Sequence, residues 1–476
     1  MRLKVKPAGG ATTGSTGRPE DEKLPFGQLL LYGTQHILTM YGGVIAPPLI
    51  VGGAAGLSGA DLALLVTAGL FISGLATVLQ TIGIGPFGAR LPIVQGISFA
   101  SVSTMVAIAS EDGLRPVFGS IIVAGLIGLV LSSFFAKLVR FFPPVVTGTI
   151  ITVIGLSLMP VAFTWAQGGA GSPDLGSTAN IGLAAVTLVI ILAISRLFQG
   201  AISRLSILLG IVIGTLFALA VGKADFSGVG EGRLVALPPL LHFGSPTFQI
   251  GAIVSMTVVI VVIMTETTAD ILAIGEIVDT PVDGRRVANG LRADMLSTTV
   301  APLFGTFPAS AFAQNVGLVA LTRVKSRYVV AMGGGILVLL GLLPVVGRVV
   351  AAIPFPVLGG AGIVLFGTVA ASGIRTLSRV EFGQGLNLVI VATALGVGII
   401  PIAAPTFWDA FPDWFAVIMH SGISAAAVVA VVLNLLFNHV RAGTRPGASV
   451  VAAVPDERGN PVIPASDEPR TTRTEH

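Results

Sequence analysis

Residues 250–270 read IGAIVSMTVVIVVIMTETTAD, an apolar stretch that runs on into two carboxylates, Glu266 and Asp270. The part from Ile250 to Met264 is dominated by Val, Ile and Met and is long enough to reach the middle of a bilayer. A charged side chain at that depth costs about 2.5–3.5 kcal/mol on insertion scales, so an acid there indicates a functional site. The stretch therefore predicts a membrane-spanning helix that carries a polar site.

The composition extends this prediction to the whole chain. Of its 476 residues, 53% are hydrophobic and 11% charged, whereas a soluble domain carries about 25% charged residues. The net charge of +4 comes from basic residues in loops and tails, so it reports orientation in a membrane rather than binding to nucleic acid. Cysteine is absent and the five histidines are scattered, so neither a metal centre nor a cofactor is expected.

Successive apolar windows, broken by Gly, Pro or basic residues, predict fourteen membrane spans. They lie near residues 26–48, 59–82, 90–111, 115–137, 142–166, 178–198, 201–222, 250–277, 286–304, 307–323, 327–348, 355–374, 382–402 and 413–440. Basic residues concentrate in one set of loops and in both tails, so we expect both termini in the cytoplasm and the protein in the cell membrane. The polar tails, 1–25 and 441–476, are predicted to be disordered.

The third and tenth spans contain too many helix breakers for an uninterrupted helix. Residues 87–100 and 304–317 each open with Phe-Gly, continue with Pro, and then mix amide, Gly, Ser and Phe. If the chain consists of two seven-span halves, these spans are the same element in each half, and because seven is odd the second half must be inverted. Paired interrupted spans indicate a substrate site near the midplane. The alternative, glycines that merely allow close helix packing, explains two matched elements less well.

Three acids lie within the predicted spans. Glu266 is the strongest candidate, since a carboxyl group in this setting suits a proton carrier or a hydrogen-bonding anchor. Asp270, four residues later on the same helix face, is explained equally well as a structural residue. Asp294, in the ninth span, is interpreted as a partner for a Ser, a Thr or a backbone group.

Amides and one histidine complete the polar set. Gln314 and Asn315 offer planar groups that both donate and accept hydrogen bonds, as the edge of a nucleobase does. His36 follows Gln35 in the first span, where a packing role and a functional role are equally well supported.

These residues resemble a known family. The segment from Gln314 to Arg323 is similar to the signature Gln/Glu-Asn-x-Gly-x-x-x-x-Thr-Arg/Lys/Gly of the nucleobase–ascorbate transporters, also called nucleobase–cation symporters. Gln35-His36 resembles the Gln-His motif of the family's first span, and residues 95–100 resemble its third-span element. Glu266 and Asp294 fall at its eighth-span and ninth-span acids. The likeness runs from about Phe26 to Asn438, and several motifs in the right order make it specific to the family. Within the family, the chain looks like a bacterial xanthine or urate permease.

The resemblance implies an all-α polytopic membrane protein of fourteen spans in two inverted seven-span repeats. Short strands would interrupt spans three and ten and cross at the midplane. A core domain would comprise residues 26–137 and 250–348, and a gate domain residues 138–249 and 349–440.

The resemblance also implies a substrate site between the strands. Glu266 and Gln314 would hydrogen-bond the base through their side chains. Rings and backbone would come from Ser98, Phe99, Phe312 and Ala313. Asn315 would orient the site, and the supporting and coupling residues would be Gln35, His36, Asp270 and Asp294.

The function implied is uptake of a purine nucleobase by alternating access, coupled to a proton rather than to Na⁺, in a homodimer. Xanthine and urate carriers of the family have Gln where uracil carriers have Glu, so Gln314 favours an oxidised purine. Ala269 and Arg323 depart from common family patterns and leave the exact base open, including uracil. An anion transporter or channel of the same fold is a more distant alternative. An intramembrane enzyme is not expected, because no Ser-His or metal-ligand spacing supports one.

Overall fold

The computed structural model describes residues 18–135, 141–382 and 386–439. Its helices are α1 Phe26–Ala54, α2 Gly59–Ile82, α3 Val102–Asp112, α4 Leu114–Leu131, α5 Pro144–Ala166, α6 Thr178–Leu197, α7 Ser206–Ala220, α8 Ile250–Ile277, α9 Gly284–Val300, α10 Ala313–Thr322, α11 Arg327–Gly341, α12 Pro344–Ala351, α13 Phe355–Leu377, α14 Asn387–Ala403, α15 Asp413–His420 and α16 Gly422–Asn434. Shorter helical turns are Pro19–Asp21, Phe99–Ser101, Ala201–Arg204, Ser227–Gly230, Ala301–Phe304 and Leu435–His439. The strands are β1 Gln95–Ile97 and β2 Ala309–Ala311.

Seven of the described helices are long and apolar enough to cross a membrane: α1, α2, α4, α5, α6, α8 and α13. The helices α11 and α12 pass the same test together but are bent by 79° at the break between them, so the number rises to eight if they form one span. The chain is therefore a mostly helical, multi-pass membrane protein. The predicted number of fourteen is higher because it includes interrupted and shorter apolar elements, and it stays a prediction.

Local sequence explains why helix gives way to strand after α2. Ser58 caps the start of α2, where its side chain accepts a hydrogen bond from the Asp61 N–H. Gly83 ends the helix with φ of +75°, a backbone conformation that glycine adopts without strain. The chain then makes a tight turn in which Ile84 and Phe87 exchange backbone hydrogen bonds. This turn directs the chain back into the protein toward β1.

The two strands pair with each other in antiparallel fashion. Gln95 faces Ala311, Gly96 faces Ser310, and Ile97 faces Ala309. The ladder continues on both sides, because Ser98 N donates to Pro308 O and Phe312 N donates to Val94 O. All six strand residues are buried. Backbone groups that helices would satisfy internally are therefore satisfied between two distant segments.

The helices pack in two groups. In the first group, α1 and α2 pack against α11, while α8 and α9 pack against α4. In the second group, α5 packs along α13, with α6, α7, α14 and α16 around this pair. The strands lie within the first group, where β1 contacts α1 and α2, and β2 contacts α8 and α9.

Residues 18–25 belong to the tail expected to be disordered, yet they make specific contacts. Glu20 is only 1% exposed, and its carboxylate accepts hydrogen bonds from Thr280 and from Arg286. Arg286 also donates to Ala89 O and to Arg90 O. One guanidinium group thus joins the N-terminal segment, the start of α9 and the segment that enters β1. The rest of the two predicted tails, residues 1–17 and 440–476, lies outside the described residues.

We expect Glu20→Gln to destabilise the purified protein by about 1–2 kcal/mol, because a neutral amide accepts weaker hydrogen bonds than a carboxylate. The loss is measured as a lower melting temperature. Burial by itself would raise the pKa of Glu20, but the hydrogen bonds from Thr280 and Arg286 outweigh it and hold the pKa below its usual value. A carboxyl with a lowered pKa stabilises the fold above its unfolded pKa and loses that effect as pH falls through the folded value. The difference between the two proteins should therefore shrink below about pH 4.

Glu22→Gln is the matched control, since the Glu22 side chain is exposed and only its backbone oxygen accepts a hydrogen bond, from Ser326. Equal melting temperatures for the two variants would contradict a stabilising role for Glu20.

Candidate functional site

The elements that carry the predicted site residues meet around the two strands. Helix α8 contacts β2, α10 and the helical turn that follows β1. Helix α1 contacts β1 and α10. A site at the strands therefore draws on both of the sequence segments that the helix breakers identified.

Glu266 and Asp270 lie one turn apart on α8 and are both half-buried. Within the described part of the chain, neither carboxyl group has a hydrogen-bond or ion-pair partner. Ala269 between them is exposed, as are Ala313 and Gln314 at the start of α10. Their exposure leaves these side chains available to a ligand, and no hydrogen bond joins Gln314 to Glu266 among the described residues.

Asp294 is fully buried and held by two other helices. It accepts hydrogen bonds from Thr267 Oγ1 of α8 at 2.7 Å and from Gln80 Nε2 of α2 at 3.0 Å. Thr267 Oγ1 in turn accepts from Ala311 N of β2 at 3.4 Å, and Gln80 Oε1 accepts from Ala89 N. The structure thus gives Asp294 a threonine partner, as the sequence interpretation expected. The carboxylate fixes β2 relative to α2, α8 and α9.

Sequence reasoning missed Thr267 and Gln80. Thr267 lies between Glu266 and Asp270, and the sequence does not distinguish its hydroxyl group from those of the neighbouring threonines. Gln80 is an amide in the apolar helix α2, and that is the signal that could have identified it.

Asn315 joins α10 to α1. Its Nδ2 donates to His36 O and to His36 Nδ1, each at 3.0 Å. Donation to Nδ1 requires that this ring nitrogen carries no proton. Both side chains are buried, at 1% and 2% exposure. Gln35 is half-buried, and its side chain has no hydrogen bond to another described residue.

Aromatic rings pack around the paired strands. The Phe312 ring lies so close to Gly96 of β1 and Gly43 of α1 that a Cβ atom at these positions would come within 2.4 Å and 2.8 Å of it. Phe99 is half-buried, with its ring centroid 6.3 Å from that of Phe312 and 6.1 Å from that of Phe366 on α13. Phe366 was not predicted, because nothing in the sequence of α13 distinguishes it from a packing residue.

Several buried polar atoms in and beside the strands retain unused hydrogen-bonding capacity, among them those of two predicted site residues. Ser98 Oγ and Asn315 Oδ1 have no partner within the residues that the structure describes. Polar atoms buried without a partner are uncommon in folded proteins, so these two atoms are candidates for contact with a ligand or a water molecule. The described residues contain no group of three His, Cys, Asp or Glu side chains that could hold a metal ion.

We expect Thr267→Val to lower the melting temperature of the purified protein. The substitution removes the donor to Asp294 and the acceptor for Ala311 N, and leaving such buried groups unpaired costs about 1–3 kcal/mol each. Thr265→Val is the control, because the Thr265 hydroxyl bonds only Val261 O in its own helix. A loss of stability no larger than that of the control would mean that the Asp294 network does not hold β2 in place.

Comparisons with known proteins show which family this chain belongs to. Residues 27–407 match the model of the family described as "Permease family", Xan_ur_permease. The chain is 42% identical to the uric acid transporter UacT of Escherichia coli over 88% of its own length and 89% of that protein. It is also 42% identical to the xanthine permease of Bacillus subtilis, covering 87% of the chain and 94% of that protein.

Two solved structures share the fold at low sequence identity. The transmembrane domain of the cyanobacterial bicarbonate transporter BicA has a TM-score of 0.59 and 16% identity, covering 87% of this chain and 99% of that domain. SLC26A9 also has a TM-score of 0.59, with 13% identity over 88% of this chain and 67% of that one. The chain therefore belongs to the permease family that its motifs resemble, the nucleobase–ascorbate transporters, and is a membrane transporter rather than an enzyme.

Proposed function

We propose that the protein imports a purine nucleobase, xanthine or urate, by proton symport with alternating access. The observation that carries the proposal is the half-buried Glu266 carboxyl, which has no partner among the described residues and lies on the helix that contacts both strand segments. An ionisable group inside a membrane span that is not used for structure is available for substrate or proton.

The identity of the substrate rests on the relatives and on the amide of Gln314. Relatives at 42% and 41% identity are named as transporters of uric acid and as xanthine permeases. A purine dione presents alternating N–H and C=O groups, which a neutral amide can pair with on both its donor and its acceptor side. Glu266 would hold the opposite N–H edge, and its protonation would link the coupling ion to binding.

The rings and backbone at the strands suit a flat aromatic base. Phe99 and Phe312 lie with their centroids 6.3 Å apart at a tilt of 46°, and Ala313 is exposed beside them. Ser98 Oγ has an unused hydrogen-bonding capacity at the same place. We assign stacking of the base to Phe99 and Phe312, with His36, Asn315 and Asp294 as support for the strands and Asp270 as a neighbour that modulates Glu266.

The packing of the helices supports an inverted repeat with fourteen spans. If α1 corresponds to α8, α2 to α9, and α4 to α11, then the pair α2 and α11 corresponds to α9 and α4, and both pairs are in contact. The pair α1 and α11 likewise corresponds to α8 and α4. In the second helix group, α6 with α13 corresponds to α14 with α5. Such matched contacts are expected of two halves related by an axis in the membrane plane.

In this arrangement, the first helix group is the core domain and the second the gate domain. The substrate-bearing core would move against the gate to expose the strands to each side in turn. Under the positive-inside rule, the basic loops support a cytoplasmic position for both termini, and we propose that the transporter works in the cell membrane in the direction of uptake.

The first test replaces Glu266 by Gln and measures accumulation of radiolabelled xanthine in proteoliposomes with an imposed pH gradient and membrane potential. One proton moving down 100 mV releases about 2.3 kcal/mol, enough for a concentration ratio of roughly fifty. We expect the wild type to concentrate xanthine and the variant to lose this accumulation. The control is Glu276→Gln, an exposed acid on the same helix. Normal pH-driven accumulation by the Glu266 variant would refute its role in proton coupling.

The second test replaces Gln314 by Glu and measures competition for uptake by xanthine, urate, uracil, hypoxanthine and guanine. A carboxylate cannot donate a hydrogen bond, so we expect the apparent affinity for xanthine to fall about tenfold or more. Gln249→Glu, at the exposed N-terminal end of α8, controls for the added charge. Unchanged xanthine affinity would remove Gln314 from the site. Uptake of bicarbonate or sulfate that xanthine does not inhibit would favour an anion transporter instead.

A further inference from the structure

A polar cavity of about 570 Å³ opens at the end of the molecule where Glu20 packs, outside the site at the strands. Its walls include the Gly85-Pro86 turn after α2, Ser133 just beyond α4, and Arg285, Asn289 and Arg292 of α9. The three α9 residues are spaced four and three apart, so they share one helix face. Among the described residues, no acidic side chain lines the cavity.

The cavity presents hydrogen-bond donors rather than acceptors. Arg292 donates to Asn289 Oδ1 at 2.8 Å and to Ser133 Oγ at 3.0 Å. These bonds fix the guanidinium group and occupy the amide oxygen of Asn289 and a lone pair of Ser133. The amide N–H groups of Asn289, the hydroxyl hydrogen of Ser133 and the remaining N–H groups of Arg292 are left to face a ligand.

The two arginines of the cavity have no counter-ion in the part of the chain that the structure describes. Among the described residues, no carboxylate forms an ion pair with Arg285 or Arg292. Their neighbours at the same end differ, because Arg286 pairs with Glu20 and Arg327 pairs with Asp21. The guanidinium group of Arg292 is held in place by its two hydrogen bonds and that of Arg285 is exposed beside it, and no acid of the described residues neutralises either. Such a pair is suited to the oxygen atoms of a phosphate.

The wall opposite α9 is held in place. Gly88 N donates to Asn289 O at 2.8 Å, which anchors the segment after α2 to α9. Ile84 and Phe87 close the turn between them with two backbone hydrogen bonds. The cavity is therefore bounded by backbone that the fold fixes, and a ligand would not have to order it.

Large apolar side chains are exposed beside the cavity. Ile84, next to the lining residue Gly85, is 69% exposed, and Phe134, next to Ser133, is 58% exposed. Val130, one turn earlier on the membrane-spanning helix α4, is 69% exposed. Exposed apolar side chains at the end of a membrane helix contact lipid, and donors beside them lie at the depth of lipid headgroups. A soluble anion would make no use of this apolar rim.

We propose that this cavity binds the phosphate group of an anionic phospholipid, through Arg285, Arg292, Ser133 and Asn289, with the acyl chains along Ile84, Phe134 and Val130. The lipid would attach the end of α9 to the membrane surface. Because α9 also carries Asp294 and Arg286, this attachment acts on the helix that holds β2 and the N-terminal segment in place.

The test is a thermal-shift titration of the full-length protein in a neutral detergent. The probes are dioctanoyl phosphatidylglycerol, dioctanoyl phosphatidylcholine and inorganic phosphate. We expect phosphatidylglycerol to raise the melting temperature in a saturable way, and the other two probes to have little effect. In Arg285→Ala/Arg292→Ala, the apparent affinity for phosphatidylglycerol should fall about tenfold or more. The matched control is Arg375→Ala/Arg379→Ala, which removes two exposed arginines outside the cavity.

Arg285→Gln is a second variant for the case that the double variant does not fold, since the Arg285 side chain has no hydrogen bond or ion pair among the described residues. It should fold normally and still bind phosphatidylglycerol more weakly. An equal response to inorganic phosphate would mean a free-anion site and overturn the lipid proposal. An equal response to phosphatidylcholine would show that the net charge of the lipid headgroup does not determine binding, and would overturn the proposal of an anionic lipid. An unchanged affinity in Arg285→Gln and in the double variant would show that the cavity is not the site.

Discussion

The pairing of β1 with β2 is the constraint on which the rest of the site depends. Two segments of non-helical backbone lie inside a bundle of membrane helices, where no water is at hand to satisfy their N–H and C=O groups. Each strand supplies the partner that the other lacks, in the register Gln95 to Ala311. Neither segment could therefore remain buried without the other, although more than 200 residues of chain separate them. Pairing of the strands therefore also fixes the positions of the helices that adjoin them in the chain.

The polar side chains around the strands divide into two kinds. Asp294, Thr267 and Gln80 are fully bonded to one another and to backbone, so they hold the ladder and have little capacity left for a ligand. Glu266 and Gln314 lie on neighbouring elements, and their side chains have no such partners within residues 18–135, 141–382 and 386–439. An acid that contributes no structural bond to a buried site adds only cost to folding unless a ligand or a proton uses it. This division is the physical reason for proposing a structural role for Asp294 and a substrate-binding or proton-binding role for Glu266.

The sequence predicted the broad features of this arrangement because they follow from composition and from helix breakers. Apolar windows located the long helices, and the Phe-Gly and Pro pattern located the segments that contain β1 and β2. It could not reveal which residues cross between helices. Whether Gln80 bonds Asp294 or faces lipid depends on the rotation of α2, and strand register depends on tertiary contacts. The ordering of residues 18–25 was missed for a similar reason, since Glu20 is stabilised by Thr280 and Arg286, which are distant in sequence.

Contacts between the two helix groups differ in kind from contacts within the first group. Helix α3 packs against α1 and α4 of the first group. Thr104 of α3 and Ser255 of α8 share hydrogen bonds with Ser421 and Ser424, at the start of α16. Phe99 meets Phe366 edge to face. Hydroxyl groups can exchange one partner for another or for water at little net cost, and a ring contact contributes only about 0.5–1.5 kcal/mol beyond its burial. No ion pair crosses between the two groups among the described residues. A boundary whose polar contacts are replaceable, next to a ladder fixed by a buried carboxylate, suits the proposed movement of one group against the other without disruption of the strand pairing.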